Sequence, residues 1–119
     1  MTPFGAKLRR LRAERGLRLK DMAAALGVSA AYLSALEHGQ RGRPSGGFVQ
    51  QISAYFNLAW DDVDELKRLA ELSHPRVVVD TAGLSPRATE LANRLAEMID
   101  KLDEATIEDL LARLGGAPR

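Results

Sequence analysis

Acidic side chains are scarce in the first half of this sequence, so its cations are in excess there. Residues 1–58 contain nine Lys/Arg and three Asp/Glu, a net charge of +6, whereas residues 59–119 contain eight and thirteen, a net charge of −5. A basic half of this kind favours electrostatic binding of a polyanion such as a nucleic acid. The acidic half is then left for a partner protein or for solvent.

Groups that catalyse reactions or hold metals are sparse. The chain has no cysteine, and its two histidines, His38 and His74, are far apart in the sequence. The glycine-rich stretch 39–47 lacks the Gly-Lys-Ser/Thr ending of a phosphate-binding loop. The carboxylates at 61–65 fall on several faces of a helix, which is typical of a solvated helix start. We therefore expect no enzyme activity, no metal and no cofactor.

Apolar spacing in the first 39 residues predicts three short helices. The first covers residues 4–15, the second carries an apolar face over 19–26, and the third begins after Ser29 and ends before Gly39. Gly27 permits the left-handed backbone of a tight turn, and Ser29 is a good N-cap. Two short helices joined by such a turn define a helix-turn-helix arrangement.

A loop rich in glycine and arginine, residues 40–47, follows the third helix. Ser45 is placed to cap a fourth helix that ends near Asn57. The carboxylates at 61–62 suit the positive start of a fifth helix, which continues to residue 72. The aromatic residues here are interpreted as core or interface, and they are Tyr55, Phe56 and Trp60. Residues 1–72 are therefore predicted to form one domain of five helices.

The helical pattern breaks at 73–83, where Val77–Val79 indicate a short strand or an extended arm. Ser85-Pro86 then begins a long amphipathic helix, and Asp103 is placed to cap a last helix that Gly115-Gly116 stops, before a frayed end. Residues 73–119 are thus predicted to be a helical extension. Its apolar stripe is predicted to serve dimerisation and includes Leu84, Leu91, Leu95, Met98, Ile99 and Leu102.

Residues 22–45, MAAALGVSAAYLSALEHGQRGRPS, resemble the helix-turn-helix of the Cro/phage-repressor (Xre-like) family of transcriptional regulators. The family pattern has small, glycine, capping and apolar residues at fixed positions. In this sequence, the residues that fit those positions are Ala23, Gly27, Val28, Ser29, Tyr32, Leu33, Ser34, Leu36, Glu37 and Gly39. The resemblance covers residues 4–72. It implies an all-α fold, a five-helix repressor-type domain followed by a C-terminal helical extension.

The resemblance also implies a function, that of a transcriptional repressor which binds a pseudo-palindromic operator in double-stranded DNA as a homodimer. Its third helix, residues 29–38, would read the major groove. The positions that face DNA would be Ser29, Ala30, Ala31, Tyr32, Ser34, Ala35 and His38. Phosphate contacts are implied for Arg18, Lys20, Arg41, Arg43 and Ser45. Three of the reading positions are alanine, so DNA shape should carry part of the specificity.

Two residues of the third helix have a structural interpretation beside the functional one. Tyr32 either contacts DNA or packs beside the first helix. Glu37 is negative next to a polyanion, and we therefore expect it to be buried and paired with an arginine of the first helix. The sequence departs from the family at Arg18-Leu19, where Thr-Gln is common, and at Gly46-Gly47, which should loosen the start of the fourth helix.

The apolar stripe of the extension leaves two other interpretations open. It could pack back onto the first domain as extra core, or it could bind a second protein, for example a toxin in an antitoxin-type pair with autoregulatory DNA binding. No stretch approaches the roughly 20 apolar residues that cross a bilayer. Charge arrives by Lys7, so the N-terminus has no apolar signal core. We expect a cytoplasmic protein with no membrane association.

Overall fold

The computed structural model describes residues 1–115, which form seven α-helices and no strand. The helices are α1 (Pro3–Glu14), α2 (Leu19–Leu26), α3 (Ala30–Glu37), α4 (Gly46–Phe56), α5 (Trp60–Glu71), α6 (Pro86–Met98) and α7 (Glu104–Gly115). The predicted all-α class is confirmed. The predicted stop at Gly116 and the frayed end lie outside the described residues.

The helices fall into two compact units, and the first ends at Val77. The sequence placed this boundary after residue 72. Ser73 is only 3% exposed, and its hydroxyl accepts a hydrogen bond from the backbone N–H of Phe4 at 2.9 Å. Residues just beyond α5 are thereby fixed to the start of α1. The valines Val77–Val79 lie in irregular backbone, not in a strand.

The core of the first unit is assembled from one apolar face of each of its five helices. Its buried apolar residues are Phe4, Leu8, Leu11, Met22, Ala23, Leu33, Leu36, Val49, Ile52, Phe56, Leu66 and Ala70. The α1 members recur at the spacing that predicted this helix. An ion pair also joins α1 to α5, since the ammonium of Lys7 lies 2.9 Å from the Glu65 carboxylate. That contact holds the pKa of Glu65 below its usual value.

Of the two positions expected for the aromatic residues, core or interface, Trp60 does not occupy the core, and its place in an interface stays a prediction. Phe56 is in the core and Tyr55 packs against it, but Trp60 is 87% exposed and is no part of the core. The reason is helical periodicity. Trp60 shares a face of α5 with Asp64 and Lys67, both exposed, while Leu66 marks the buried face.

Side-chain caps begin the helices where the sequence predicts them. The hydroxyl of Ser29 accepts from the Tyr32 N–H at 3.0 Å, and that of Ser45 accepts from the Phe48 N–H at 3.2 Å. In the second unit, Ser85 caps α6 and Asp103 accepts from the Thr106 N–H at 2.8 Å. Hydrogen bonds from the side chain and then from the backbone N–H of Thr106 keep the pKa of Asp103 below its usual value. Such caps satisfy N–H groups that a helix start leaves free.

The α6 helix is shorter than its apolar stripe predicts. It ends at Met98, so Ile99 and Leu102 lie in the turn that leads to α7. The backbone forms a tight turn there, because the N–H of Lys101 donates to the carbonyl of Met98 at 2.8 Å. This turn brings Asp103 to the position from which it caps the next helix.

Candidate nucleic-acid interface

The turn between α2 and α3 depends on Gly27. Its φ of 74° is left-handed, a conformation that residues with a Cβ adopt only at a cost. The N–H of Val28 donates to the carbonyl of Ala23 at 3.0 Å and closes the end of α2. Leu33 and Leu36, at 0% and 1% exposure, then hold the inner face of α3 in the core.

The outer face of α3 carries the predicted base-reading positions. Ala30, Ala31, Tyr32 and His38 are exposed, whereas Ser34 and Ala35 are half-buried. The alanines offer only methyl groups, which permit a close approach to a groove and contact with a thymine methyl. The imidazole Nδ1 of His38 lies 2.8 Å from the carbonyl oxygen of Ser34 and is engaged at the end of the helix.

Tyr32 packs against α4, which corrects the interpretation that it lies beside the first helix. Its ring meets that of Phe48 edge-on, with 6.3 Å between the ring centres. The side chain is nevertheless 37% exposed. Phe48 therefore holds Tyr32 in place while leaving part of it free at the start of α3.

The end of α3 is fixed to α1 by a buried ion pair. The Arg12 guanidinium donates to the Glu37 carboxylate, and the two side chains are 10% and 2% exposed. The predicted pairing of Glu37 with an arginine of the first helix is confirmed. The backbones also meet, since the Thr2 N–H donates to the Glu37 carbonyl at 3.0 Å and a Cβ added to Gly5 would lie 2.1 Å from the same oxygen.

The predicted phosphate-binding cations differ in whether they already form an ion pair with a carboxylate. Arg18 is 68% exposed, but its Nε lies 3.0 Å from Asp21 at the start of α2, and its hydrogen bonds hold the pKa of Asp21 below its usual value. Lys20, Arg41 and Arg43 are exposed and have no ion-pair partner within residues 1–115. These three are the cations that a phosphate could engage without breaking a salt bridge.

An open cleft of about 520 Å³ separates the starts of α3 and α4. It brings together three of the predicted site residues, Ser29, Tyr32 and Ser45. Phe48 and Gln51 also line it, and sequence reasoning missed both. The sequence carries no signal for them, because only the tertiary packing of α4 beside α3 brings them to this cleft.

Arg43 lies on another side of α4. It lines a cleft of about 590 Å³ between the start of α4 and α5, together with Lys67 and Gln50. Ser45 borders both clefts. Two of the predicted phosphate ligands of the 40–47 loop, Arg43 and Ser45, thus lie at the start of α4.

A family model described as a helix-turn-helix domain matches residues 3–66, more than half of the chain. The chain belongs to this helix-turn-helix family. The matched residues run from α1 through most of α5 and include the complete α2–turn–α3 element.

Three curated relatives match about half of this chain. The HTH-type transcriptional regulator DdrOP3 of Deinococcus deserti is 46% identical over 59 residues, 50% of this chain. Two Bacillus subtilis proteins, the HTH-type transcriptional repressor RghR and the regulator RghRB, are 36% and 33% identical over 51% and 53% of the chain. The matched segment covers 45% of each relative, so this chain spans less than half of their length. No solved structure matches the chain.

Beyond the helix-turn-helix domain, the second unit presents an apolar face. No residue of 78–115 is buried. The predicted dimerisation residues Leu84, Leu91, Leu95, Met98 and Ile99 are 61%, 66%, 39%, 44% and 54% exposed, and Leu102 is half-buried. The leucines of α7 are exposed too, and they are Leu110, Leu111 and Leu114.

Two further findings concern the described part of the chain. Residues 1–115 contain no group of three or more His, Asp or Glu side chains arranged to hold a metal ion. Within the same residues, every helix falls short of the length and hydrophobicity that crossing a membrane requires.

Proposed function

We propose that this chain regulates transcription by binding double-stranded DNA with α3 in the major groove. The observation that carries the proposal is that α3 has one exposed face and one buried face. Ala30, Ala31 and Tyr32 are exposed on its outer face, while Leu33 and Leu36 are buried on its inner face. A helix held in this way can enter a groove without any change in the core. The names of the three relatives, all HTH-type transcriptional regulators, support the same function.

The contacts divide into base readout and phosphate binding. Base readout is assigned to the start and outer face of α3, with Ser29, Ala30, Ala31, Tyr32, Ser34, Ala35 and His38. Phosphate binding is assigned to side chains outside this helix, which are Arg18, Lys20, Arg41, Arg43 and Ser45. Since Arg18 is already paired with Asp21, the free cations at 20, 41 and 43 contribute most of the electrostatic affinity.

We further propose that the chain is a repressor that acts as a homodimer on a pseudo-palindromic operator. The relative RghR is named a repressor, which supports the direction of regulation. Half-sites one helical turn, about 34 Å, apart lie on one face of DNA, and a two-fold dimer matches that symmetry.

The second unit supplies the dimer interface in this proposal. Within α6, residues 88, 91, 95 and 98 are apolar and recur at alternating steps of three and four, the spacing of helices that pack along one another. Leu84 and Leu102 are apolar residues on either side of this helix. A contiguous exposed apolar face of this kind marks an association surface. Since none of residues 78–115 is buried, this unit gains a core only by covering that face.

DNA binding is tested by fluorescence anisotropy with a duplex from upstream of the protein's own gene and a scrambled duplex, each at several salt concentrations. We expect the protein to prefer the upstream duplex. An Arg41→Ala/Arg43→Ala variant should bind both duplexes more weakly, with a salt slope smaller by about 2 for each protomer, because each lost phosphate contact removes about 0.9.

A variant with Arg87→Gln and Arg94→Gln is the matched control. It removes the same charge from exposed positions on α6, so it should bind as the wild type does. Wild-type protein that binds neither duplex at low salt would overturn the proposed function. Equal weakening in both double variants would assign the effect to net charge and not to the 40–47 loop.

Dimerisation is tested by sedimentation velocity. The wild type should sediment as a species of twice the 13.0 kDa chain mass. A Leu91→Glu/Leu95→Glu variant should have a dimer dissociation constant about 100-fold higher or more, because burial of each leucine contributes roughly 1.5–3 kcal/mol. Asn93→Glu/Ala96→Glu places the same charges on the opposite face of α6 and should stay dimeric. A monomeric wild type would contradict the dimer.

The exposed leucines of α7 favour a second candidate function, binding of another protein by the second unit as in an antitoxin-type pair. Leu110, Leu111 and Leu114 are 36%, 60% and 73% exposed and lie outside the α6 stripe. Under this alternative, a second small protein co-purifies with the wild type and is lost from a Leu111→Glu/Leu114→Glu variant that still binds DNA. Retention of that protein by the variant would contradict the assignment to α7.

A further inference from the structure

We propose that Gln51 is a DNA-positioning residue that binds the sugar–phosphate backbone of one strand within the cleft between α3 and α4. The inference rests on the proposed DNA binding and extends it to a residue outside the helix-turn-helix element itself. Gln51 is exposed and lines this cleft together with Ser29 and Tyr32, which stand at the start of the reading helix.

The cleft has the chemistry that a nucleotide backbone unit needs. Val28 and Phe48 give it an apolar floor on which a deoxyribose ring can lie. The Gln51 amide group donates two hydrogen bonds, which suits an unesterified phosphate oxygen. The cleft is open to solvent and adjoins the exposed start of α3. A DNA strand that crosses α3 would therefore pass the opening of the cleft.

A backbone contact fits Gln51 better than a base contact. The residue belongs to α4, which lies beside α3 and is not the helix that enters the groove. In protein–DNA complexes, half or more of the hydrogen bonds go to phosphate and sugar, and glutamine side chains are among their donors. Such contacts set the position of the protein on DNA and carry no direct sequence information.

The chain offers a matched control in the adjacent residue. Gln50 has the same side chain and is also exposed, but it lines the clefts between α4 and α5 and not the one that Tyr32 borders. One residue step along a helix turns a side chain by about 100°, which explains the difference. A contact specific to the α3–α4 cleft therefore distinguishes position 51 from position 50.

The test measures the binding of four full-length variants, Gln51→Ala, Gln50→Ala, Gln51→Lys and Gln50→Lys, to the upstream and scrambled duplexes. Gln51→Ala should weaken binding about 3- to 10-fold for each protomer, the loss of one hydrogen bond, and equally on both duplexes. Gln50→Ala should leave the affinity unchanged. Gln51→Lys should steepen the salt slope by about 0.9 for each protomer, because a lysine there gains a phosphate, and Gln50→Lys should not.

Equal melting temperatures of the four variants would show that the changes act on binding and not on folding. If the wild type binds DNA and Gln51→Ala binds as tightly, the role of Gln51 is wrong and the proposed function stands. A loss confined to the upstream duplex would overturn the backbone contact in favour of base readout. If the wild type binds neither duplex, the proposed function fails and this inference fails with it.

Discussion

Replacing Glu37 with alanine is expected to lower the free energy of unfolding by about 3–5 kcal/mol, because it leaves the Arg12 guanidinium buried without its counter-charge. Arg12 and Glu37 have side chains that are only 10% and 2% exposed, so water cannot take the place of the lost carboxylate. The loss is measured by urea denaturation followed by circular dichroism. It is a large part of the stability of a small domain.

The double variant Arg12→Met/Glu37→Leu distinguishes the cost of leaving a buried charge unpaired from the loss of the attraction between the two charges. Both side chains are then apolar and of similar volume, and replacement of a buried ion pair in this way is often neutral or stabilising. We expect the double variant to be markedly more stable than Glu37→Ala. If the two variants were equally unstable, the ion pair itself, and not the unpaired charge, would dominate the effect.

Gly5→Ala is expected to destabilise the first unit by at least about 3 kcal/mol, beyond the usual cost of overpacking. The new Cβ would lie 2.1 Å from the Glu37 carbonyl oxygen and 2.8 Å from its Cα. These are backbone atoms, so α1 and α3 would have to move apart. The effect opposes helix propensity, which alone favours alanine over glycine by about 1 kcal/mol.

Gly47→Ala is the control for this substitution. Gly47 is also in a helix, and nothing lies within 4 Å of a Cβ added there. Thermal denaturation should show Gly47→Ala as stable as the wild type or more so, and Gly5→Ala with a clearly lower Tm. A Gly5→Ala protein as stable as the wild type would show that α1 and α3 do not approach as closely as described.

The sequence predicts those parts of the fold that depend on local chemistry. Ser29, Ser45 and Asp103 cap helices as expected, because capping requires only a short polar side chain and the N–H groups one turn ahead. Gly27 ends α2 for a similarly local reason. Glu37 was predicted to pair with an arginine of α1 from charge alone, since it is a carboxylate on a helix that is expected to lie next to a polyanion.

The features that the sequence did not predict depend on distant neighbours. Gly5 has the ordinary pattern of an α1 residue, and its constraint comes from Glu37, 32 positions away. Gln51 and Gln50 are the same residue type side by side, and they differ only in the clefts that they line, one bordered by α3 and the other by α5. Trp60 was interpreted as core or interface, and the register of α5 turns it to solvent, away from the core.

The hydrogen bond between Ser73 and Phe4 has a practical consequence for work on the isolated domain. A fragment cut after residue 72, where helical periodicity ends, would lack the hydroxyl that receives the Phe4 N–H. It would also lack Pro75, which lies beside Gly39 at the end of α3. For crystallisation or NMR assignment, the excised piece should therefore extend to Val77, the last residue of the first unit.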